Sequence, residues 1–273
     1  MPSVKATAKQ CMFRLLRPGL RDVSGSLGRL EALLSSGTWR GGLAGSAVSP
    51  CGTEVPDLTE KYRVELGFWC DFARRASAEQ CGGEFQDVFG GWQRARLDEL
   101  RETLGLPDRA AFEAWTRERT AVEIGAGPFP SIALAPWRRA IAIDPLADGY
   151  TTEGLLPPEC DSVTYIAAAG EVIPLPARTA DLVVIENCLD HADRPRDVLL
   201  EARRLLRPGG LLWLLVDLMA YRDKLHPNPF DERGLRDLLA QTGFRVVKDR
   251  VSAHKSHPEA YGEYRGLLRT PDA

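Results

Sequence analysis

A strand and a glycine turn follow one another in the stretch Ala121-Val122-Glu123-Ile124-Gly125-Ala126-Gly127-Pro128. The apolar residues are typical of a buried strand. Gly125 and Gly127 expose backbone N–H groups and have no side chain to obstruct a ligand. The stretch therefore predicts a cofactor site directly after a strand, with one acid, Glu123, two residues ahead of the turn.

The position of Pro130 argues against a dinucleotide as the cofactor. The dinucleotide fingerprint needs a third glycine there, three residues after Gly127, where the helix packs closely against the strand. Glu123 would repel a pyrophosphate but can hold an ammonium group. These features favour S-adenosylmethionine, which has no phosphate and carries an ammonium and a sulfonium. A nicotinamide-dependent oxidoreductase remains as an alternative.

The motif resembles the first motif of the class I S-adenosylmethionine-dependent methyltransferases, which reads acid-x-Gly-x-Gly. The stretch Leu205-Leu206-Arg207-Pro208-Gly209-Gly210 is similar to the "L-[RK]-P-G-G" turn of that family. The resemblance extends from residue 120 to about residue 250. It implies an α/β fold: a Rossmann-like, doubly wound, seven-stranded sheet that is mostly parallel, with the last strand antiparallel.

Short apolar runs separated by helical patterns predict the strands of this sheet. The predicted strands are Ala121–Gly125, Ala140–Asp144, Val163–Ala167, Leu182–Glu186, Leu211–Asp217, Phe244–Val251 and Glu263–Leu268. The clearest helix is predicted over Pro195–Leu206, with Asp193 placed to cap it.

Three segments are predicted along the chain. Residues 1–55 are rich in Gly, Ser and Arg and predict a basic, partly disordered tail. Residues 56–118 predict a helical annex, which many small-molecule enzymes of this class use as a lid. Residues 119–273 are expected to form the domain that binds S-adenosylmethionine.

Asp144 is the candidate for binding the ribose. It ends the second predicted strand, where a carboxylate can accept both ribose hydroxyls. Nicotinamide-dependent enzymes also have an acid at this position, so Asp144 does not show whether the cofactor is S-adenosylmethionine or a nicotinamide dinucleotide. Pro145 and Leu146 come next, and Leu146 is expected to cover one face of the adenine. Ala126 belongs to the glycine turn itself.

The resemblance also implies an adenine-binding turn at Ala169-Gly170-Glu171. The acid that usually takes the adenine amino group aligns with Ala169, so this chain departs from the family at that position. Backbone groups of Ala169 and Gly170 are expected to recognise the adenine instead, and Glu171 is either a further contact or structural. Asn187, after the fourth strand, completes the predicted cofactor-binding residues.

The loop after the fourth strand carries the candidate base. His191 can accept a proton near neutral pH, and Asp190 can orient it; alternatively, His191 packs at the start of the following helix. His226, in the loop after the fifth strand, is the second candidate. Ubiquinone-pathway O-methyltransferases have a similar "E-x-x-E-H" segment, said to hold a divalent metal. Because Asn187 replaces its first acid, we expect no metal here.

Composition narrows the choice of partners and compartment. The net charge is −3 and the pI is near 5.9, which gives no general reason to expect nucleic acid as a partner. The sequence has no apolar run of about 18 residues, so we expect no membrane span. Six scattered cysteines without a CxxC pair predict a reduced, cytoplasmic protein.

The sequence as a whole predicts a methyltransferase that modifies oxygen or nitrogen of a small-molecule acceptor. The alternative is a protein without catalytic activity, which serves as an S-adenosylmethionine-binding or scaffolding module. The departure from the family pattern at Ala169 leaves this alternative open. No feature of the sequence specifies the acceptor or an oligomeric state.

Overall fold

A seven-stranded sheet contains all the named strands of the chain. The computed structural model describes residues 59–77, 85–222, 226–253, 256–257 and 259–271. The strands are β1 Thr120–Ile124, β2 Arg139–Ile143, β3 Val163–Ile166, β4 Ala180–Glu186, β5 Leu206–Leu218, β6 Arg245–Ser252 and β7 Gly262–Arg269. All seven predicted strands are confirmed. The largest difference in their limits is at β5, which begins at Leu206 rather than Leu211. Ala180 of β4 pairs with Leu206 and Leu182 pairs with Leu211, so the Pro-Gly-Gly turn between the two pairs forms a bulge within β5.

The strand order is β3-β2-β1-β4-β5-β7-β6. Strands β1 to β5 pair in parallel, and β7 is antiparallel to both β5 and β6. This confirms the doubly wound sheet and its antiparallel last strand. The order reverses between β1 and β4, and ligands of open α/β sheets bind in the crevice beyond the carboxyl ends at such a point.

Both faces of the sheet are covered by helices. Helices α5 Pro195–Leu205 and α6 Glu232–Gln241 contribute Val198 and Leu235 to one apolar cluster. On the other face, Leu97 and Phe112 pack near Val184 of β4. Strands buried on both faces are apolar along nearly their whole length, which is why β1 and β4 could be recognised in the sequence.

The remaining helices are α1 Thr59–Ser77, α2 Phe85–Thr103, α3 Arg109–Arg117 and α4 Ala147–Thr152. The sequence interpretation did not predict α3, which begins after Asp108. The Asp108 side chain accepts the N–H of Ala111 at 2.8 Å and so caps that helix.

The predicted cap of α5 is wrong. Arg194, not Asp193, is the N-cap residue, and no side chain of the cap residue bonds to the helix. Pro195 occupies the first turn, where its missing N–H costs nothing. The backbone N–H groups of Asp193 and Arg194 instead donate to Oε1 of Glu171, at 2.9 and 3.1 Å.

The described chain divides into two compact units. One comprises residues 59–77, 85–92 and 146–156, and its core contains Leu66, Leu146, Tyr150 and Leu155, with Trp69 packed against them. The other comprises residues 93–145 and the described residues from 157 to 271, and it contains the sheet. The predicted boundaries at residues 56 and 119 stay a prediction, and residues 1–55 lie outside the described chain. None of the described helices has the length and apolar character needed to cross a bilayer.

Candidate active site

The turn after β1 uses two glycines in the left-handed region of backbone space. Gly125 has φ 67° and Gly127 has φ 61°, a conformation that costs other residues roughly 1–2 kcal/mol. The N–H groups of Gly125 and Ala126 both donate to the carbonyl of Ile143, at 2.8 and 3.3 Å. The turn is therefore held at the carboxyl end of β2.

Gly125 also allows this turn to contact the loop after β4. A Cβ atom at Gly125 would lie 2.3 Å from Sγ of Cys188, far inside normal contact. The Cys188 thiol donates to the carbonyl of Ile124 at 3.1 Å. Because Cys188 directly precedes the short 3-10 helix Leu189–His191, the contact joins the glycine turn to the predicted catalytic residues.

Asp144 lies at the glycine turn. Its side chain is buried, and its Oδ2 accepts the N–H of Gly127 at 2.9 Å. The structure therefore brings together the glycines and the acid that the sequence pairs by spacing. The predicted bond to ribose hydroxyls stays a prediction.

Glu123 is engaged by the segment that follows the turn. Its two carboxyl oxygens accept the N–H of Ser131, the hydroxyl of Ser131 and the N–H of Ile132, at 3.1 to 3.2 Å. Burial, and then the neighbouring Glu186, raise the pKa of Glu123 to about 8. The group is therefore mainly protonated at neutral pH, and its predicted contact with an ammonium group stays a prediction.

Glu123 and Asp144 both interact electrostatically with Tyr165 of β3. Glu123 is in register with Ala142 of β2, and Asp144 directly follows the end of β2. Tyr165 of β3 is also in register with Ala142. Its hydroxyl donates to the carbonyl of Gly127 at 3.3 Å, next to both acids.

The predicted adenine turn packs against β1. A Cβ atom at Gly170 would lie 2.8 Å from Cγ2 of Ile124, so the absence of a side chain allows this close approach. The carbonyl of Ala169 accepts the N–H of Val172 at 3.1 Å. The Glu171 carboxylate accepts the two N–H groups that precede α5, a structural use that sequence reasoning had kept as an alternative.

Asn187 follows β4 with a positive φ of 56°. Its N–H donates to the carbonyl of Leu215 at 2.8 Å, which fixes the start of the loop. The side-chain oxygen is buried and accepts no hydrogen bond from the residues that the structure describes. A buried acceptor of this kind can take a donor from a ligand.

The two residues after Asp144 fall in different compact units. Pro145 belongs to the unit that contains the sheet, and it is the last residue of that unit before the chain enters the other one. Leu146 is fully buried among Leu66, Tyr150 and Leu155 of the other unit. Its predicted contact with adenine stays a prediction.

Three histidines from three parts of the sequence form a row. The ring centroids of His191 and His226 are 4.5 Å apart, and those of His226 and His257 are 4.6 Å apart. Asp190 is buried beside His191 and His226, and the ligand atoms of these three residues lie within 4.8 Å of one another. The structure thus brings all three predicted catalytic residues together. The fourth histidine, His254, lies outside the described residues.

Helix α2 contributes buried polar side chains that sequence reasoning missed. Arg96 pairs with Glu186 at 3.2 Å, and Trp213 donates its indole N–H to the same carboxylate at 3.0 Å. Gln93 donates to the carbonyl of Phe129 at 2.6 Å. In the sequence these residues resemble the solvated face of a helix, and the only available signal was Glu186 at the end of an otherwise apolar strand.

Two more buried acids lie on β5 and β7. Asp217 accepts the N–H groups of Ser256 and His257, and burial raises its pKa to about 6. Burial also raises the pKa of Glu263 to about 8. The carboxyl ends of β4 and β5, together with the amino end of the antiparallel β7 beside them, are thus rich in ionisable groups shielded from water, as functional sites often are.

Comparison with known proteins shows which family shares these features. Residues 122–214 match the model of a family described as "Methyltransferase domain". The match begins at β1 and ends within β5, so it contains the glycine turn, Asp144, the Ala169-Gly170 turn and the loop with His191. This part of the chain is thus similar to a methyltransferase domain, in line with the resemblance that its sequence motifs show.

Curated proteins named as methyltransferases match about half of the chain. An uncharacterized methyltransferase of Mycobacteroides abscessus is 29% identical over 146 residues, which is 52% of this chain and 53% of the relative. An uncharacterized methyltransferase of Mycolicibacterium paratuberculosis is 27% identical over 142 residues, 51% of this chain and 52% of the relative. The chain thus spans about half the length of the curated relatives it matches.

Solved structures include similar methyltransferases. A SAM-dependent methyltransferase of Methanosarcina mazei is 14% identical, with a TM-score of 0.48 over 61% of this chain and 99% of that one.

S-adenosylmethionine is the cofactor that the match to a methyltransferase domain supports, and the residues present fit it. The bare Gly125–Gly127 turn gives a ligand access to the main chain, and the buried oxygen of Asn187 offers an acceptor for a cationic donor. No phosphate-binding third glycine is present, because Pro130 occupies that position.

Proposed function

We propose that this methyltransferase transfers a methyl group from S-adenosylmethionine to an oxygen or nitrogen atom of a small molecule. The observation that carries the proposal is the contact of Gly125 with Cys188. It joins the predicted cofactor turn to the cluster of Asp190, His191 and His226. Methylation of a hydroxyl needs such a neighbour, because the nucleophile must lose a proton.

In this proposal the cofactor is held at both of its ends by the carboxyl edge of the sheet. Asp144 accepts the ribose hydroxyls, and the backbone of Ala169 and Gly170 recognises the adenine. Asn187 accepts a hydrogen bond from the ammonium group at the methionine end. When bound, S-adenosylmethionine supplies a methyl group that its positive sulfonium has already activated.

The remaining chemical task is proton removal. His191 or His226 takes the proton of the acceptor as its oxygen or nitrogen is methylated, and Asp190 orients the imidazole. Asp190 and His226 are 1% and 8% exposed. Little water therefore reaches the cluster, which favours transfer to the acceptor over side reactions.

A small molecule is the acceptor that the charge of the protein favours. Residues 51–273 carry a net charge of −8, since residues 1–50 hold +5 of the total of −3. A surface with that balance does not attract a nucleic-acid backbone. Cys70, Cys160 and Cys188 are thiols rather than disulfides in the described chain, which supports a cytoplasmic location as part of the proposal.

Isotope-labelled S-adenosylmethionine tests the proposal directly. We expect label to enter at least one member of a panel of small phenols, sugars and amines, and not bulk tRNA. Replacing the productive base by glutamine, at His191 or His226, should lower kcat about 10²- to 10⁴-fold without changing the affinity for S-adenosylhomocysteine.

Two outcomes would contradict the proposal. Label in tRNA but in no small molecule would show that the acceptor class is wrong. A folded protein that binds S-adenosylhomocysteine and labels nothing would favour the binding-module alternative.

A further inference from the structure

Asp190, His191 and His226 have the composition and spacing of a metal site. Each offers one ligand atom, and these atoms lie within 4.8 Å of one another. Two of the three side chains are almost fully buried. The planes of the two imidazole rings are inclined by 69°, with their centroids 4.5 Å apart.

Two hydrogen bonds hold the loops that carry these residues together. The N–H of Asn228 donates to the carbonyl of Asp190 at 3.2 Å, and the side-chain amide of Asn228 donates to the carbonyl of Ala192. The loop after β5 is thereby tied to the loop after β4 on both sides of His191. His226, two residues before Asn228, is positioned by the fold rather than by sequence proximity.

The ligand chemistry favours a borderline transition metal over magnesium or calcium. Two imidazole nitrogens and one carboxylate oxygen suit Zn²⁺, whereas hard cations prefer oxygen ligands. Zn²⁺ binds such ligands at about 2.0–2.2 Å. Ligand atoms in a tetrahedral site of that size lie about 3.3 Å apart, and the ligand atoms of this cluster lie within 4.8 Å of one another, so binding of the ion would draw them closer together.

Further ionisable groups lie beside the cluster. The Asp217 carboxylate lies close enough to Asp190 for the two negative charges to interact, and it also interacts with the positive charge of Arg96. On the other side of His226, the ring of His257 is 4.6 Å away. Nδ1 of His257 accepts the N–H of Glu259 at 3.2 Å, and His257 is not among the residues whose ligand atoms lie within 4.8 Å of one another.

We propose that Asp190, His191 and His226 together bind one divalent transition-metal ion, with Zn²⁺ the ion that suits them best. Three protein ligands leave a fourth position for water or for an acceptor oxygen, as in catalytic zinc sites. Binding of the ion does not depend on the proposed methyl transfer. An imidazole nitrogen that ligates the ion cannot also take a proton, so in the metal-bound chain a metal-bound hydroxide, in place of His191 or His226, takes the proton of the acceptor. The sequence argument against a metal considered Asp190, His191 and Asn187 only, and did not include the third ligand from the loop after β5.

The test is metal binding by the full chain after treatment with a chelator, in the absence of cofactor and acceptor. Zn²⁺ is titrated against a chromophoric chelator, and Co²⁺ serves as a spectroscopic probe of the ligand geometry. We expect one ion per chain and the visible absorption of four-coordinate Co²⁺, without the thiolate charge-transfer band that binding to cysteine would produce.

Asp190→Asn, His191→Gln and His226→Gln should each weaken Zn²⁺ binding by more than the roughly 10- to 100-fold that loss of a supporting residue costs. His257→Gln is the matched control, and it should keep both the one-ion stoichiometry and the Co²⁺ spectrum. Binding of S-adenosylhomocysteine by each variant shows that the fold is intact, and a variant that fails this check is replaced by a milder one such as His226→Asn.

The proposal is overturned if the folded parent protein binds neither ion at micromolar concentration. It is equally overturned if the three ligand variants bind Zn²⁺ as the parent does, or if His257→Gln abolishes binding. A metal-binding protein that transfers no methyl group would contradict the proposed function alone.

Discussion

At the scale of single residues, Asp144 and Glu123 show how differently two predicted cofactor ligands are placed. Asp144 accepts the N–H of Gly127, so its carboxylate lies at the glycine turn itself. Glu123 accepts three donors from Ser131 and Ile132. Glu123 is therefore engaged by the segment that follows the turn, whereas Asp144 bonds to the turn.

We expect Asp144→Ala to weaken binding of S-adenosylhomocysteine about 10- to 100-fold. Hydrogen bonds to a charged group contribute about 1.5–3 kcal/mol each, and the substitution removes the acceptor. Calorimetric titration measures the loss. Asp161→Ala, at an exposed position, is the matched control and should bind as the parent does; equal affinity of both variants would remove Asp144 from the cofactor site.

Glu123→Gln should make the protein less sensitive to alkaline pH. The folded-state pKa of Glu123 is about 8, against an ordinary value of 4.5, so the folded chain holds a proton that the unfolded chain releases. The resulting stability is fully present below about pH 4.5 and is lost as the pH rises towards 8. Urea unfolding at pH 5.5, 7 and 8.5 should show a shallower decline for the variant than for the parent.

The same variant tests the electrostatic hypothesis drawn from the sequence. If Glu123 is protonated at neutral pH, the neutral glutamine should leave the affinity for S-adenosylhomocysteine within about threefold. A loss of tenfold or more, about 1.4 kcal/mol, would show that a negative charge at position 123 holds the ammonium group after all.

At the scale of elements, the contact between the turn after β1 and the loop after β4 depends on Gly125. Two properties of that glycine are separable, because Gly105 has a similar φ of 74° and no atom within 4 Å of its missing Cβ. A substitution at Gly105 therefore measures the cost of backbone strain alone. A substitution at Gly125 measures that cost together with the cost of the close approach to Cys188.

Gly105→Ala should cost roughly 1–2 kcal/mol of unfolding free energy and leave cofactor binding unchanged. Gly125→Ala should cost at least about 1–3 kcal/mol more, because the added methyl group overlaps Cys188, and should weaken binding of S-adenosylhomocysteine. Denaturant melts and calorimetry on the pair give both quantities. Equal effects of the two substitutions would mean that the close approach does not matter.

The elements predicted from the sequence are those whose signal is local. Strands such as β1 and β4 are apolar along their length because both of their faces are buried, so these strands were recognised from their composition. The antiparallel direction of β7 came from the family resemblance. Helix α3 was missed because it is a short capped segment. A structural role of Glu171 was one of the two predicted alternatives, but its partners at the start of α5 could not be predicted because the whole of β4 separates them from Glu171 in the chain.

Only those parts of the candidate site whose residues are close together in the sequence could be predicted. Gly125, Gly127 and Asp144 follow a strand-turn spacing, and Asp190 and His191 are adjacent in the chain. The approach of His226 to His191 depends on β4 and β5 being neighbours and on the bonds made by Asn228. The buried pair of Arg96 and Glu186 needs α2 to pack on the sheet, which residue periodicity does not specify.

At the scale of the whole molecule, cofactor binding should stabilise the folded chain. A ligand at 100 times its dissociation constant adds about 2.7 kcal/mol, which raises the Tm of a protein of this size by about 5–10 °C. Thermal melts with S-adenosylhomocysteine should show this shift, and melts with NADH should show none. A Tm shift with NADH and none with S-adenosylhomocysteine would support the alternative of a nicotinamide-dependent oxidoreductase.

The place of β1 in the strand order has a consequence for how the chain is made. One partner, β2, is the next strand in the chain, but the other partner, β4, comes only after both β2 and β3. As the ribosome releases the chain, one edge of β1 stays open until β4 emerges. Nascent chains that stall in this interval expose an apolar strand edge, and that interval is where chaperone assistance matters most.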